Sequence, residues 1–222
     1  MINQIGYSIT EPQLKHAIAE LPNIDFKLTI INQPTGDFFY DPWELKKEYV
    51  GTIWEEVYNS LPLSNKGEAR LINLAPGTCY WAHSDIDDRW HLSLINDQSF
   101  LVDVETQQLY ITEIGKWYTM DAGQIHSAVN FGGRNRIQLV VRELLISTKV
   151  NNTVQVSIIV PEVNNARYLF DQIFSKWLNR ANKAGVLKNF TADKKLVQFM
   201  CASDYLQSLL ELPHNDFKVI LH

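Results

Sequence analysis

From Arg89 to Val141 the chain is a succession of short stretches in which apolar and polar residues alternate, each closed by a turn signal. Arg89, His91 and Ser93 alternate with Trp90, Leu92 and Leu94, and Arg136 and Gln138 alternate with Ile137 and Leu139. Successive side chains of a strand point to opposite sides, so each stretch has one apolar face and one polar face. Between these two stretches, residues 99–104 and 108–112 read as strands joined by a turn at Glu105-Thr106-Gln107. Gly115-Lys116 marks the next turn, Trp117–Met120 the next strand, and Asp121-Ala122-Gly123 a further turn before His126. Many short strands at this spacing predict a jelly roll or a barrel. A solvated polar side is the bland explanation of the alternation, and it predicts that Arg89 and Arg136 are exposed.

The flanks read differently. Glu11 to Leu21 carries Leu14, Ala17, Ile18 and Leu21 at helical spacing and stops at Pro22-Asn23, ahead of a strand-like Phe26 to Ile31. A second helix is expected from Pro42 or Trp43 to about Ser60, with Tyr40, Trp43, Trp54 and Tyr58 as packing residues. After Glu143, Val154 to Val160 reads as a strand, and Asn164 to Ala184 and Lys194 to Leu212 read as helical, the register being carried by Leu169, Ile173, Trp177 and Leu178. The expected architecture is mainly β with flanking α. Residues 1–150 form a double-stranded β-helix core (a jelly roll, cupin-like) with N-terminal buttressing helices, and residues 151–222 form a C-terminal, α-rich extension. That extension is free to dock on the core, to cover a site, or to make a homodimer through its helices. The run Glu20-Leu21-Pro22-x-x-Asp25-Phe26-Lys27 recurs as Glu211-Leu212-Pro213-x-x-Asp216-Phe217-Lys218, which reads as a shared helix end, turn and strand.

At 222 residues the chain is long enough for a substantial core. Its net charge of −5 and the lack of a basic run give no electrostatic reason to expect a nucleic-acid partner. No apolar stretch approaches the length of a membrane span, and the first residues lack the layout of a secretion signal. Two distant cysteines, Cys79 and Cys201, suit a reduced, cytoplasmic setting.

The chemistry concentrates in His83-Ser84-Asp85, the distant His126, and Arg136. Residues two apart on an extended segment face the same way, so His83 and Asp85 can hold one metal ion while Ser84 faces away. Two neutral imidazoles and one carboxylate suit a non-haem Fe(II) with open positions. Taken singly, a His-x-Asp pair, a lone histidine or a lone arginine is more often structural. Their joint order points to a site.

The stretch from Arg70 to Glu143 resembles the aspartyl/asparaginyl β-hydroxylase-like branch of the 2-oxoglutarate-dependent Fe(II) oxygenases, which includes free-proline hydroxylases. The resemblance is carried by Pro76-Gly77-Thr78, Trp81 with His83-x-Asp85, Arg89-x-His91 with Leu92 and Leu94, Gly115-Lys116-Trp117, His126-Ser127 with Asn130, and Arg136 followed by Ile137-Gln138-Leu139-Val140-Val141. It implies that His83, Asp85 and His126 are the Fe(II) ligands. It also implies that Arg136, ten residues after His126, pairs with the far carboxylate of the cosubstrate 2-oxoglutarate, with Arg89 and His91 beside it. An arginine suits that task because its planar fork meets a carboxylate with two parallel hydrogen bonds.

In this branch the aspartyl/asparaginyl hydroxylase proper has two histidines and no carboxylate ligand, whereas the free-amino-acid hydroxylases have the carboxylate, as this chain does in Asp85. That leans toward a small amino-acid substrate, and a carboxylate in that position favours hydroxylation over halogenation. The implied reaction consumes O2 and 2-oxoglutarate, hydroxylates an aliphatic C–H bond and releases succinate and CO2. Trp117, Gln138, Arg142 and Tyr80 are the candidates for substrate contact. Two alternatives stand beside this reading: a hydroxylase of Asp, Asn or another side chain in a peptide or protein, and a non-oxygenase, cupin-like metal-dependent isomerase or small-ligand binding protein.

Overall fold

The computed structural model describes residues 2–21, 29–214 and 216–222. They form two compact units, the first made of the chain up to Trp81 with 88–121 and 126–144, the second of 82–87, 122–125 and 145–222.

The first unit begins with β1 (Ile2–Ser8) and α1 (Glu11–Glu20), then β2 (Thr29–Ile30), β3 (Asn32–Pro34), β4 (Trp43–Leu45) and α2 (Ile53–Asn59). Eight strands follow: β5 (Lys66–Leu74), β6 (Thr78–Cys79), β7 (Arg89–Ile95), β8 (Ser99–Asp103), β9 (Gln108–Tyr110), β10 (Lys116–Met120), β11 (His126–Asn130) and β12 (Arg136–Glu143). One sheet has the order β1-β10-β7-β12-β5-β2 and a second the order β6-β11-β8-β9; β3 and β4 pair separately. All pairs between these strands are antiparallel.

The alternation seen in the sequence sorts β7 and β12 into two faces. Leu92 and Leu94 of β7 and Ile137, Leu139 and Val141 of β12 join Ala69 and Leu71 of β5 in one apolar cluster. Ala17 of α1 and Ile53, Trp54 and Val57 of α2 belong to the same cluster. Each leucine, isoleucine or valine so buried contributes about 1.5–3 kcal/mol. Helix α1 starts at a capping box in which the Thr10 side chain accepts from the Gln13 backbone N–H while Gln13 reaches back to the Thr10 N–H.

Trp117 belongs to this cluster. It is fully buried, and its indole N–H donates to Ser60 Oγ at 2.9 Å, so it packs rather than meets a substrate. Trp117→Ala is expected to cost about 3–5 kcal/mol of stability in denaturant titrations. Glu105→Ala, in the exposed turn between β8 and β9, should stay within about 0.5 kcal/mol of the parent chain.

The helix expected from residue 43 to 60 is shorter. Trp43 lies in β4, a single 3₁₀ turn covers Lys47–Tyr49, and α2 starts only at Ile53. Gly51, at φ +75°, breaks the run, and the Thr52 side chain then caps the new helix by accepting from Trp54 N–H. Of the strand expected at Phe26 to Ile31, Thr29 and Ile30 form β2; residues 22–28, and with them the end of the first Glu-Leu-Pro run, lie outside the described residues.

The second unit contains β13 (Thr153–Ile159), α3 (Ala166–Ile173), α4 (Ser175–Lys183), β14 (Leu187–Ala192), β15 (Leu196–Ala202), α5 (Gln207–Leu210) and β16 (Lys218–Leu221). Its antiparallel sheet has the order β14-β15-β13-β16, the split β-α-β-β-α-β arrangement. The extension is therefore not α-rich, and the helix expected over Lys194 to Leu212 is corrected. Val197, Phe199 and Cys201 are buried while Leu196, Gln198 and Met200 between them are half-buried, a period of two. The Asp193 carboxylate accepts from the backbone N–H groups of Lys195 and Leu196 and closes the turn from β14 into this strand. Only Gln207–Leu210 of the expected stretch is α-helix. Among the described residues no helix is long and apolar enough to cross a membrane.

Candidate metal centre and anion site

His83 and Asp85 sit on an extended segment outside the named strands of the described residues, with His83 in a single β-bridge. Local contacts within the second unit hold its backbone. Ser84 donates through both N–H and Oγ to the Asp171 carbonyl of α3, at 3.3 and 2.6 Å, Asp85 N–H donates to the Ala122 carbonyl at 2.7 Å, and the Gln172 amide donates to the Ala82 carbonyl. Ser84 is fully buried. It bonds α3, and its two neighbours lie close together, His83 Nε2 being 3.9 Å from Asp85 Oδ2. Asp171 is itself perturbed: burial pushes its carboxyl upward, Arg167 opposes this, and the nearby Asp85 carboxylate adds to the rise.

His126 is the first residue of β11, opposite Asp103 of β8, and is buried. His83 and Asp85 belong to the second unit and His126 to the first, and together the three offer the side-chain types of a metal-ligand set. The donor set fits the group: two imidazoles and a carboxylate suit Fe(II) and leave coordination positions for small molecules.

The polar face of β7 and β12 is buried. Arg89, His91 and Ser93 of β7 and Arg136, Gln138 and Arg142 of β12 are each no more than 8 % exposed, which excludes the solvated-face reading. Arg136 donates through Nη2 to Gln138 Oε1 at 2.5 Å, and its Nε meets no acceptor. Burial pulls its pKa down to about 10, opposed only by Tyr80. The same proximity acts on Tyr80, a half-buried side chain whose phenol is pushed up by burial and drawn down by Arg136 and Arg70.

His91 Nδ1 lies 3.0 Å from Gln138 Oε1, and burial with the Arg136 charge lowers its pKa to about 3, so the ring is neutral. Gln138 is fully buried and engaged at both ends, because its Nε2 donates to Ser93 Oγ at 2.8 Å and Thr112 Oγ1 at 3.2 Å. Both ends of its amide meet protein partners, Arg136 and His91 at the oxygen and Ser93 and Thr112 at the nitrogen. Arg142 stacks over Phe38 at 4.4 Å and Phe39 at 5.3 Å.

Several of these partners gave no signal in the sequence. Thr112 lay in an expected strand and is found just beyond β9, buried. Asp171 and Gln172 fall in a helix more than 80 residues after the segment they hold, and Phe38 and Phe39 precede β4 in a loop.

The fold is β-rich, and His83, Asp85 and His126 are residue types that could hold a metal ion. Residues 52–144, which contain the His-x-Asp segment, Arg89, His91, His126, Arg136 and Arg142, match the family model described as aspartyl/asparaginyl beta-hydroxylase. The branch that the sequence resembles is thus the one its central segment matches, and the family, one of hydroxylases, supports an oxidoreductase. No curated protein matches the chain closely.

Proposed function

We propose that this chain is an Fe(II)- and 2-oxoglutarate-dependent dioxygenase that hydroxylates an aliphatic C–H bond of a free amino acid or similar small molecule, releasing succinate and CO2. The observation that carries the reading is Arg136: a guanidinium 2 % exposed, whose Nη2 donates to a neutral amide among the described residues. A cation removed from water without a counter-charge is costly, and the cost is recovered when an anion arrives. A dicarboxylate brings one.

The arrangement of strands supports a double-stranded β-helix. In chain order β5, β7, β10 and β12 go to one sheet and β6, β8, β9 and β11 to the other, which is the distribution made by two interleaved Greek keys.

In this reading His83, Asp85 and His126 hold the metal, and Arg136 holds the far carboxylate of 2-oxoglutarate. Bound Fe(II) supplies the oxygen chemistry that couples decarboxylation of 2-oxoglutarate to hydroxylation. The protein's own part is positional: a neutral His91, a buried arginine, and a ligand segment tied down through Ser84. Tyr80 and Arg142 are the proposed substrate contacts, Arg142 being able to receive a substrate carboxylate, and Arg89 lies beside the cosubstrate. A reduced, cytoplasmic setting belongs to the same reading, supported by the two free cysteines. A homodimer through the C-terminal unit is a proposal for light scattering to decide.

The experiment is succinate formation by NMR with Fe(II), 2-oxoglutarate and O2, against proline, other free amino acids and short Asp- or Asn-containing peptides. Turnover stimulated by free amino acids is expected. Stimulation by peptides alone would replace the substrate class, and no turnover together with no binding of 2-oxoglutarate would overturn the oxygenase reading. Ser84→Ala, which removes the hydroxyl that ties the ligand segment to α3, is expected to weaken Co(II) or Fe(II) binding about tenfold in metal titrations.

A further inference from the structure

We propose that Gln138 is a positioning residue that fixes both the direction of Arg136 and the proton-bearing nitrogen of His91. The inference rests on the reading of Arg136 as the seat of an anionic ligand, and it follows from donor and acceptor bookkeeping. A guanidinium only donates, so the Gln138 atom facing Arg136 Nη2 is the carbonyl oxygen; the reversed amide would set donor against donor. The amide nitrogen then meets Ser93 Oγ and Thr112 Oγ1, two hydroxyls 2.6 Å apart that also bond each other. Both hydroxyls and the amide are buried, which gives the amide one orientation.

The same oxygen faces His91 Nδ1 at 3.0 Å. Because that oxygen can only accept, Nδ1 must carry the hydrogen. In a neutral ring the other nitrogen, Nε2, is then bare, and Nε2 is buried with no hydrogen-bond partner. His91 consequently presents an acceptor. A carboxylate oxygen is a poor match for a lone pair, whereas the O–H or N–H of a ligand is a good one. The two groups divide the work: Arg136 takes the carboxylate, and His91 Nε2 takes a donor. Ser93, Thr112 and Gln138 touch neither ligand group; they act through Arg136 and His91.

The test is the ring ¹⁵N spectrum of His91 in the full-length chain near neutral pH, assigned against His91→Phe, together with 2-oxoglutarate affinity. Wild-type His91 is expected to show a protonated Nδ1 and a bare Nε2, a measurement that needs no buried substitution to fold. In Gln138→Leu the proton is expected to move to Nε2, the form that imidazole prefers without a partner, and the Kd for 2-oxoglutarate to rise about tenfold. Gln138→Glu, which keeps an acceptor in place, is expected to restore the Nδ1–H form. A wild-type His91 protonated on Nε2, or a Gln138→Leu chain with the proton still on Nδ1, overturns the role toward His91. An unchanged Kd in Gln138→Leu overturns the role toward Arg136. Failure of the wild-type chain to bind 2-oxoglutarate at all would instead count against the proposed function, while the tautomer measurement would still decide the role of Gln138 toward His91.

Discussion

His126→Ala is expected to lose Fe(II)-dependent activity and to lower metal affinity by more than about a hundredfold, with the fold intact. In the proposed function the three ligands come from two places far apart in the sequence. Loss of an outer hydrogen-bond partner of a ligand typically costs about ten- to a hundredfold in metal affinity, so loss of a ligand itself should exceed that. His126 opens β11 beside β8, and the alanine variant keeps the backbone pairing of the two strands. Circular dichroism should therefore be unchanged. Metal titration is the decisive measurement, because wild-type binding retained by His126→Ala would remove it from the ligand set. Asp85→Ala is expected to behave in the same way.

Arg136→Met should separate ligand binding from stability in opposite directions. If the guanidinium pairs with a carboxylate of 2-oxoglutarate, deleting one partner of a buried, hydrogen-bonded charge pair costs about 2–5 kcal/mol of binding, which is about thirty- to several-thousandfold in Kd. The free protein, however, loses a buried cation whose side-chain hydrogen bond among the described residues goes to a neutral amide, and an apolar side chain of similar length fills the same space. Its thermal midpoint should be unchanged or higher. An arginine that served only the fold would give the reverse pattern, with a lower midpoint and unaltered 2-oxoglutarate binding. Calorimetric titration and a thermal melt of the same preparation decide between them.

These expectations differ in how far the sequence could carry them. The faces of β7 and β12 were legible because alternation is local: Arg89, His91 and Ser93 share one side of a strand whatever the strand packs against. The helix α1 was legible for a similar reason, since its apolar spacing and its Thr10–Gln13 cap lie within one short stretch. The helix expected at Lys194 to Leu212 was wrong because a short apolar run fits either period. Packing between β13 and β14 settled it as a strand, and those partners lie far away along the chain. Trp117 and Gln138, both next to motif residues in the sequence, turned out to be packed or hydrogen-bonded inside, because adjacency along the chain does not say which face a residue takes or what fills that face.

What the sequence determined by itself was the chemical inventory and its local order. It supplied a His-x-Asp pair, a distant histidine, an arginine ten residues beyond it, and the alternation that places polar groups together on one face of their strands. The tertiary structure alone decided that this face is buried, that Arg136 has a neutral amide for its partner, and that Ser93 and Thr112 orient that amide. It also decided that α3 ties down the ligand segment through Ser84. The reason is the range of the forces involved: backbone periodicity acts over a few residues, whereas desolvation and hydrogen bonding depend on groups that only folding brings within 3 Å.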